Sequence, residues 1–295
     1  MKREFIEAVV REVKKLVLDA EVSVQDVVKN NDVTLHGVVI REKDSCVSPT
    51  IYLENYFKDG SEPDDLRNVA RSIVDTYRSH KHGANQYNQI ASKVTNFDSV
   101  KSLLRIRLIN KELNAKLLET IPHMPFLDMA IIAVIELGDE NKGIATIKVT
   151  NQLLTSWGKT LTDILPYANE NTFNIPYTLK SMAEIMAEML GIPKELADEI
   201  SVDSLMYVLS NKTNINGAMV ICSYSIMMEL ANKFKSDLIV LPSSVHEVII
   251  VPMRDGMDIE DMTRMVREVN SAEVKPEEVL SDHAYVFTRK NGWEY

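Results

Sequence analysis

The sequence predicts an α+β protein, with antiparallel or mixed sheets and helices packed on them, and three observations carry that prediction. Apolar residues recur at helical spacing early and late in the chain, as Phe5, Ile6, Val9, Val13, Leu16 and Val17 and as Ile259, Met262, Met265, Val266 and Val269. Segments rich in β-branched residues, 33–40, 129–137 and 247–251 among them, have strand length and end at turn residues. The composition is 45% hydrophobic against 26% charged, enough apolar surface to offset the entropy of ordering most of the 295 residues.

Taken in order, the first periodic stripe predicts a helix over 3–20, and 33–40 with 50–53 predict a hairpin across Lys43-Asp44-Ser45. Ser61-Glu62-Pro63-Asp64 combines a hydroxyl cap, a proline in the first turn and an acid three residues on, so a helix starts there. Its stripe of Leu66, Val69, Ala70, Ile73, Val74 and Tyr77 must be covered, which makes 1–79 an α-β-β-α unit. Periodicity then fails in a polar stretch with His80, His82, Gly83, Asn85 and Gln86, and we read 80–97 as a linker.

Residues 98–295 are expected to form a second α+β domain. Leu104, Ile106 and Leu108 alternate with Arg105 and Arg107 as in a half-buried strand whose arginines face solvent or a partner. A short helix over 111–120 follows, then a hairpin from 129–137 and 143–149. The capping box at Thr160-Leu161-Thr162-Asp163 and the stripe Met182, Ile185, Met186 and Met189, stopped by Gly191 and Pro193, suggest a helical insert over 151–200. Strands at 205–209, 218–222, 237–241, 247–251 and 284–288 and helices around Ile226–Phe234 and after Asp258 complete the chain. Segments 131–165 and 205–234 share a strand, a polar turn ending in Gly143 or Gly217, a second strand and a helix, the pattern of a degenerate β-β-α repeat.

A formal charge of −10, with no basic run interleaved with aromatics, argues against nucleic acid as a partner. Apolar stretches stop well short of the ~20 residues of a membrane span. The first residues, Met1-Lys2-Arg3-Glu4-Phe5, lead into an amphipathic helix and lack a signal peptide's apolar region, so the expected compartment is the cytoplasm. Cys46 and Cys222 form neither a disulfide framework nor a zinc knuckle. With 10 glycines and neither a Gly-x-Gly-x-x-Gly nor a Walker loop, no dinucleotide or P-loop cofactor is expected, and the histidine spacings suggest no metal.

Candidates for chemistry are few. In Pro242-Ser243-Ser244-Val245-His246-Glu247 an extended chain places Ser244 and His246 on one face, as a nucleophile and its base require. Side chains at i and i+2 stand ~6 to 7 Å apart by strand rise, so a structural turn is the expectation over a Ser-His pair. The same geometry points His246 and Glu247 to opposite faces and makes both structural. Pro122-His123-Met124-Pro125-Phe126-Leu127-Asp128 offers a stiff loop holding His123 and Asp128, read as a hydrogen-bonded structural pair before a site. Asp282-His283, with His246 and His123, has the residue types of a metal site without the spacing. Met stripes at 182, 186 and 189 and at 262 and 265 read as core filler.

Together, Ser48-Pro49-Thr50-Ile51-Tyr52-Leu53, Pro122-His123 to Leu127-Asp128, Leu241 to Ile250 and Leu280-Ser281-Asp282-His283 resemble a bacterial domain-of-unknown-function family of gut anaerobes and their mobile elements. The resemblance spans nearly the whole chain and implies no established activity. The leading expectation is therefore a non-catalytic cytoplasmic bacterial protein that binds a protein partner. The alternative is a hydrolase-like enzyme around Ser244, His246 and Glu247 on which His123 and Asp128 converge. Neither reading fixes an oligomeric state.

Overall fold

The computed structural model describes residues 3–42, 48–57, 63–80, 94–139, 143–191, 206–242 and 244–294. The turn at 43–45, the cap at Ser61, Cys46, Ser243, Pro193 and most of the 80–97 stretch lie outside the described residues. The chain divides into two compact units, residues 1–100 with 136–147 and residues 101–135 with 148–295.

In the first unit, α1 (Arg3–Leu16) buries Phe5, Val9 and Val13. It ends earlier than its periodicity predicts, because Ala20–Val28 forms a strand, β1, absent from the sequence reading. β1 pairs with β2 (Thr34–Glu42), which pairs with β3 (Thr50–Tyr52), all antiparallel. α2 (Pro63–His80) buries Ala70, Ile73, Val74 and Tyr77 in the core formed with Val38, Ile40, Ile51 and Leu53. A single-turn helix, α3 (Phe97–Val100), follows.

The second unit opens with β4 (Leu104–Asn110), where Leu104, Ile106 and Leu108 are buried as the alternation requires. Arg105 does not simply face solvent: its guanidinium donates to the carbonyls of Ser102 and Leu104. A short α4 (Ala115–Leu118) precedes β5 (His123–Phe126), so the proline-flanked loop is itself a strand. β6 (Met129–Asp139) runs antiparallel to both β4 and β5; its last residues, from 136 on, and nearly all of its further partner β7 (Gly143–Lys148) are counted with the first unit. α5 (Asn151–Trp157) and α6 (Leu161–Phe173) follow, the latter with the predicted Thr160–Asp163 capping box. Thr172 of α6 accepts from the Ile106 amide, 2.9 Å, which fixes this helix on β4.

The region predicted as a helical insert contains a strand, β8 (Tyr177–Ser181), before α7 (Met182–Leu190). β8 forms one edge of a six-stranded antiparallel sheet of order β13-β12-β10-β11-β9-β8. Its other members are β9 (Tyr207–Asn211), β10 (Leu238–Leu241), β11 (Val248–Pro252), β12 (Tyr285–Thr288) and β13 (Gly292–Glu294). The expected strand at 218–222 is a 3-10 helix, Gly217–Cys222. Asn214 and Asn216 adopt left-handed backbone conformations before it, and the chain approaches so closely that a Cβ on Gly217 would lie 2.1 Å from Ser210 Oγ. Only glycine fits there. With that strand gone, the second β-β-α segment keeps one strand, and the repeat does not extend to it. α8 (Tyr224–Phe234) and α9 (Ile259–Ala272) complete the helices, α9 contributing Val266 to a core with Ile239, Leu241, Val251 and Ala284.

Candidate functional site

Two pieces of backbone in the second unit create the most elaborate polar cluster among the described residues. The first is the tip of the β5–β6 hairpin, where Phe126 pairs with Met129 and only Leu127 and Asp128 make the turn. Such a tight connection needs a left-handed residue, and Leu127 takes φ 54°. A branched side chain there costs about 1 kcal/mol, strain that the surrounding contacts must hold in place.

The second piece is 280–284, ahead of β12. Asn110 donates to the Leu280 carbonyl and the Ser281 amide donates to that of Pro242, both at 3.0 Å. α9 holds it from the other side: Asn270 donates to the Ser281 carbonyl at 2.9 Å and to the Asp282 carboxylate at 2.6 Å, and Thr263 accepts from the Ala284 amide at 3.1 Å. Thr263, Val266 and Asn270 are the buried residues of α9, so one helical face supplies both a core residue and the two clamps.

Where the two meet, the Asp128 carboxylate accepts three side-chain hydrogen bonds. Ser281 donates to its Oδ2 at 3.0 Å, Tyr285 donates to its Oδ1, and His283 donates to Oδ2 through Nδ1 at 3.0 Å. Ser281 and Tyr285 are buried, and their hydroxyl oxygens also touch at 2.7 Å. The amide of His283 donates to Ser281 Oγ at 3.1 Å. By contrast the imidazole reaches the surface, with 46% of its side chain exposed against 22% for Asp128. A proton on Nδ1 leaves Nε2 of neutral His283 as an acceptor, and among the described residues it has no hydrogen-bond partner.

The Ser244 to Glu247 segment is built differently. Ser244 Oγ accepts from the backbone amide of His246 at 3.0 Å and is not directed at the ring. Nδ1 of His246 accepts from the Asn216 amide at 3.2 Å, and Nε2 lies 3.8 Å from Glu278. The carbonyl of His246 takes the Ser210 hydroxyl at 2.8 Å. His246 lies in a bend with Val245 and Glu247 follows it ahead of β11, so the strand alternation expected of the two does not apply, and Glu247 makes no side-chain hydrogen bond among the described residues. His123 donates from Nδ1 to the Ile121 carbonyl at 3.2 Å and does not join Asp128. The sequence thus identified Asp128 but paired it with the wrong histidine. The signal lay in Leu280-Ser281-Asp282-His283, 155 residues away.

Elsewhere, Glu54 in the first unit accepts from both the ring and the amide of His36, at 2.8 and 2.9 Å. Burial alone would raise the Glu54 carboxyl, but those two bonds, together with its own backbone amide and the charge of His36, outweigh it and hold the group below the usual carboxylate range. Burial pushes the Cys222 thiol far up, away from a reactive thiolate. Among the described residues, no three His, Cys, Asp or Glu side chains converge as metal ligands, and no helix is long and apolar enough to cross a membrane.

Fold and site together define an α+β protein that presents an aspartate-oriented histidine at the surface of its second unit. Over residues 2–289 the chain matches the family of unknown function DUF5688, and it belongs to that family. No curated protein and no solved structure matches it.

Proposed function

We propose that the chain is a hydrolase-like enzyme in which His283 is the general base and Asp128 its positioning residue. The observation that carries this reading is the 3.0 Å bond from Nδ1 to the Asp128 carboxylate, which leaves an exposed Nε2 to accept a proton. Ser281 and Tyr285 are buried behind the carboxylate and act through it. They hold the aspartate as the aspartate holds the ring. The nucleophile is water: one O–H bond breaks, its proton passes to Nε2, and the oxygen attacks the carbonyl carbon of an ester. The imidazolium, offset by Asp128, then returns that proton to the departing alkoxide as the C–O bond breaks, giving acid and alcohol.

The test is proton release from a panel of esters followed by pH-stat. The expected result is turnover by the wild type that falls about 10²- to 10⁴-fold in His283→Gln with the melting curve kept. Equal rates in the two proteins, or none in the wild type, overturn the reading.

A second reading is the binding of a protein partner, and one observation favours it: Met186, Met189 and Leu190 on α7 are 56, 83 and 72% exposed. Replacing all three with Ser should abolish co-purification of a specific partner from the native host while leaving ester turnover untouched.

A further inference from the structure

The hydrogen bonds around His246 suit only one charge state of its ring. A backbone N–H donates and cannot accept, so Nδ1, 3.2 Å from the Asn216 amide, carries the lone pair, and the ring is neutral with its proton on Nε2. Nε2 faces Glu278 at 3.8 Å, and the same carboxylate oxygen takes Lys275 Nζ at 3.1 Å. Glu247 follows the ring in the chain, Lys212 is the one charged residue of 212–216, and the neighbours Ser210 and Gly217 bring no charge. With 29% of its side chain exposed, the imidazole is open to protons from solvent. Its two partners are held by different pieces of backbone. The Val245 amide donates to the Glu278 carbonyl at 2.9 Å and Ser244 pairs with Val279, so ring and carboxylate share one antiparallel pairing. The Asn216 amide instead belongs to a loop wound on the Asn211 side chain, whose Oδ1 accepts from the Thr213 and Ile215 amides at 3.1 and 3.3 Å. In that loop Asn214 and Asn216 take φ of 53° and 51°, a left-handed conformation that is strained outside glycine.

We infer that His246 is an acid-sensitive latch on the 212–216 loop: protonation of the ring releases the Asn216 amide and lets the loop open. The second proton must go to Nδ1, where it meets the N–H of Asn216, donor against donor. The imidazolium is drawn to Glu278, which stays beside it on the shared backbone pairing, and competes there with Lys275 for one oxygen. Each charge state therefore satisfies one side of the ring and forfeits the other. The neutral ring holds the loop and the charged ring holds the carboxylate, which makes the latch two-state. Without its acceptor Asn216 leaves the left-handed region. The opening ends at Ala218, whose amide is tied to the Val245 carbonyl at 3.2 Å. Nothing in this latch depends on the role given to His283.

The test is hydrogen exchange of the full chain at about pH 8 and about pH 5, the two ends of the range in which histidines titrate. Peptides spanning 212–217 are read by mass spectrometry and corrected for the pH dependence of exchange in an unstructured chain, with β10 and β11 as internal controls. Protection of 212–217 should fall at least about tenfold on acidification while the two strands keep theirs. His246→Asn places an amide oxygen near the position of Nδ1 and does not titrate, so its loop should stay protected at both pH values. Glu278→Gln removes the attraction for the imidazolium and should move the opening to lower pH. Equal protection of the wild-type loop at both pH values overturns the inference, as does a loss just as large in His246→Asn or one shared by β10 and β11. Should His246→Asn fail to fold, the midpoint in Glu278→Gln decides: a shift to lower pH supports the latch, and an unmoved midpoint overturns it.

Discussion

The two polar clusters at either end of residues 278–283 hold the same kinds of side chain and are wired in opposite senses. At one end, Ser244 holds the backbone amide of His246, whose ring has Nδ1 already occupied by the Asn216 amide and Nε2 facing the Glu278 carboxylate. At the other, Asp128 takes Nδ1 of His283 and Nε2 is left over. A serine, a histidine and an acid thus make a staple in one place and a candidate base in the other. What separates them is that the fold occupies Nδ1 of both rings and faces Nε2 with a carboxylate only at His246, not the inventory of residues.

The largest effect that would sharpen this contrast is catalytic. His283→Gln should lose about 10²- to 10⁴-fold in turnover, and His246→Gln should retain turnover in the molecules that fold. Equal losses in both, measured on folded protein by pH-stat, would erase the distinction.

Next comes Gly217→Ala. Its new methyl would meet Ser210 Oγ at 2.1 Å, the Asn211 amide at 2.6 Å and the His246 carbonyl at 2.7 Å, two of them backbone atoms that cannot step aside. A loss of about 3 kcal/mol is expected in urea unfolding, the signature of an overpacked staple.

Smaller still, His246→Ala should cost about 1 to 3 kcal/mol, because the Asn216 amide loses its acceptor. Glu247→Gln, by contrast, should change stability by less than about 0.5 kcal/mol, since that carboxylate has no partner to lose among the described residues. Parallel denaturation curves for the two variants check the pair. Equal losses would return Glu247 to the staple.

The smallest effect concerns the histidine–carboxylate pair of the first unit. Glu54 has a depressed carboxyl, so the stability it contributes is present above its unfolded value and is lost as pH falls through the folded one. Stability measured from pH 6 to pH 3 should therefore decline less steeply in Glu54→Gln than in the wild type. An unchanged acid limb would show that the bonds from His36 add nothing to folding.

Long amphipathic segments were legible in the sequence because each carries its own period. The stripes of α1 and α2 and the Thr160–Asp163 capping box stand where spacing and hydroxyl chemistry put them, whereas the stripe of α9 holds only in part, with Val266 buried but Met265 and Val269 exposed. Short segments were not. Val22 and Val24 of β1 follow a helical stripe closely enough to be absorbed by it, and Ala218-Met219-Val220-Ile221 has the apolar run of a strand but curls behind a crowded glycine. The strand Tyr177–Ser181 was hidden between two helices. Local proximity also misled the reading of the site: His123 lies five positions from Asp128 in sequence, yet the carboxylate bonds a histidine that only the tertiary fold brings near. No periodicity encodes that pairing. The sequence named Asp128 and His283 separately and offered no physical reason to join them.

Behind the surface histidine, Ser281, Tyr285 and the Asp128 carboxylate make three oxygen-to-oxygen contacts, while the two hydroxyls bring only two protons to share among them. The heavy atoms therefore admit more than one hydrogen arrangement. Both hydroxyls can point at the carboxylate, or one can relay through the other, and the positions of the oxygens barely differ between these states. A positive charge arriving on His283 pulls on the same carboxylate oxygen that Ser281 uses, and so changes which arrangement is lowest. Protonation of an exposed ring would be recorded as the rotation of a buried hydroxyl, a memory of charge kept in a part of the protein that water does not reach.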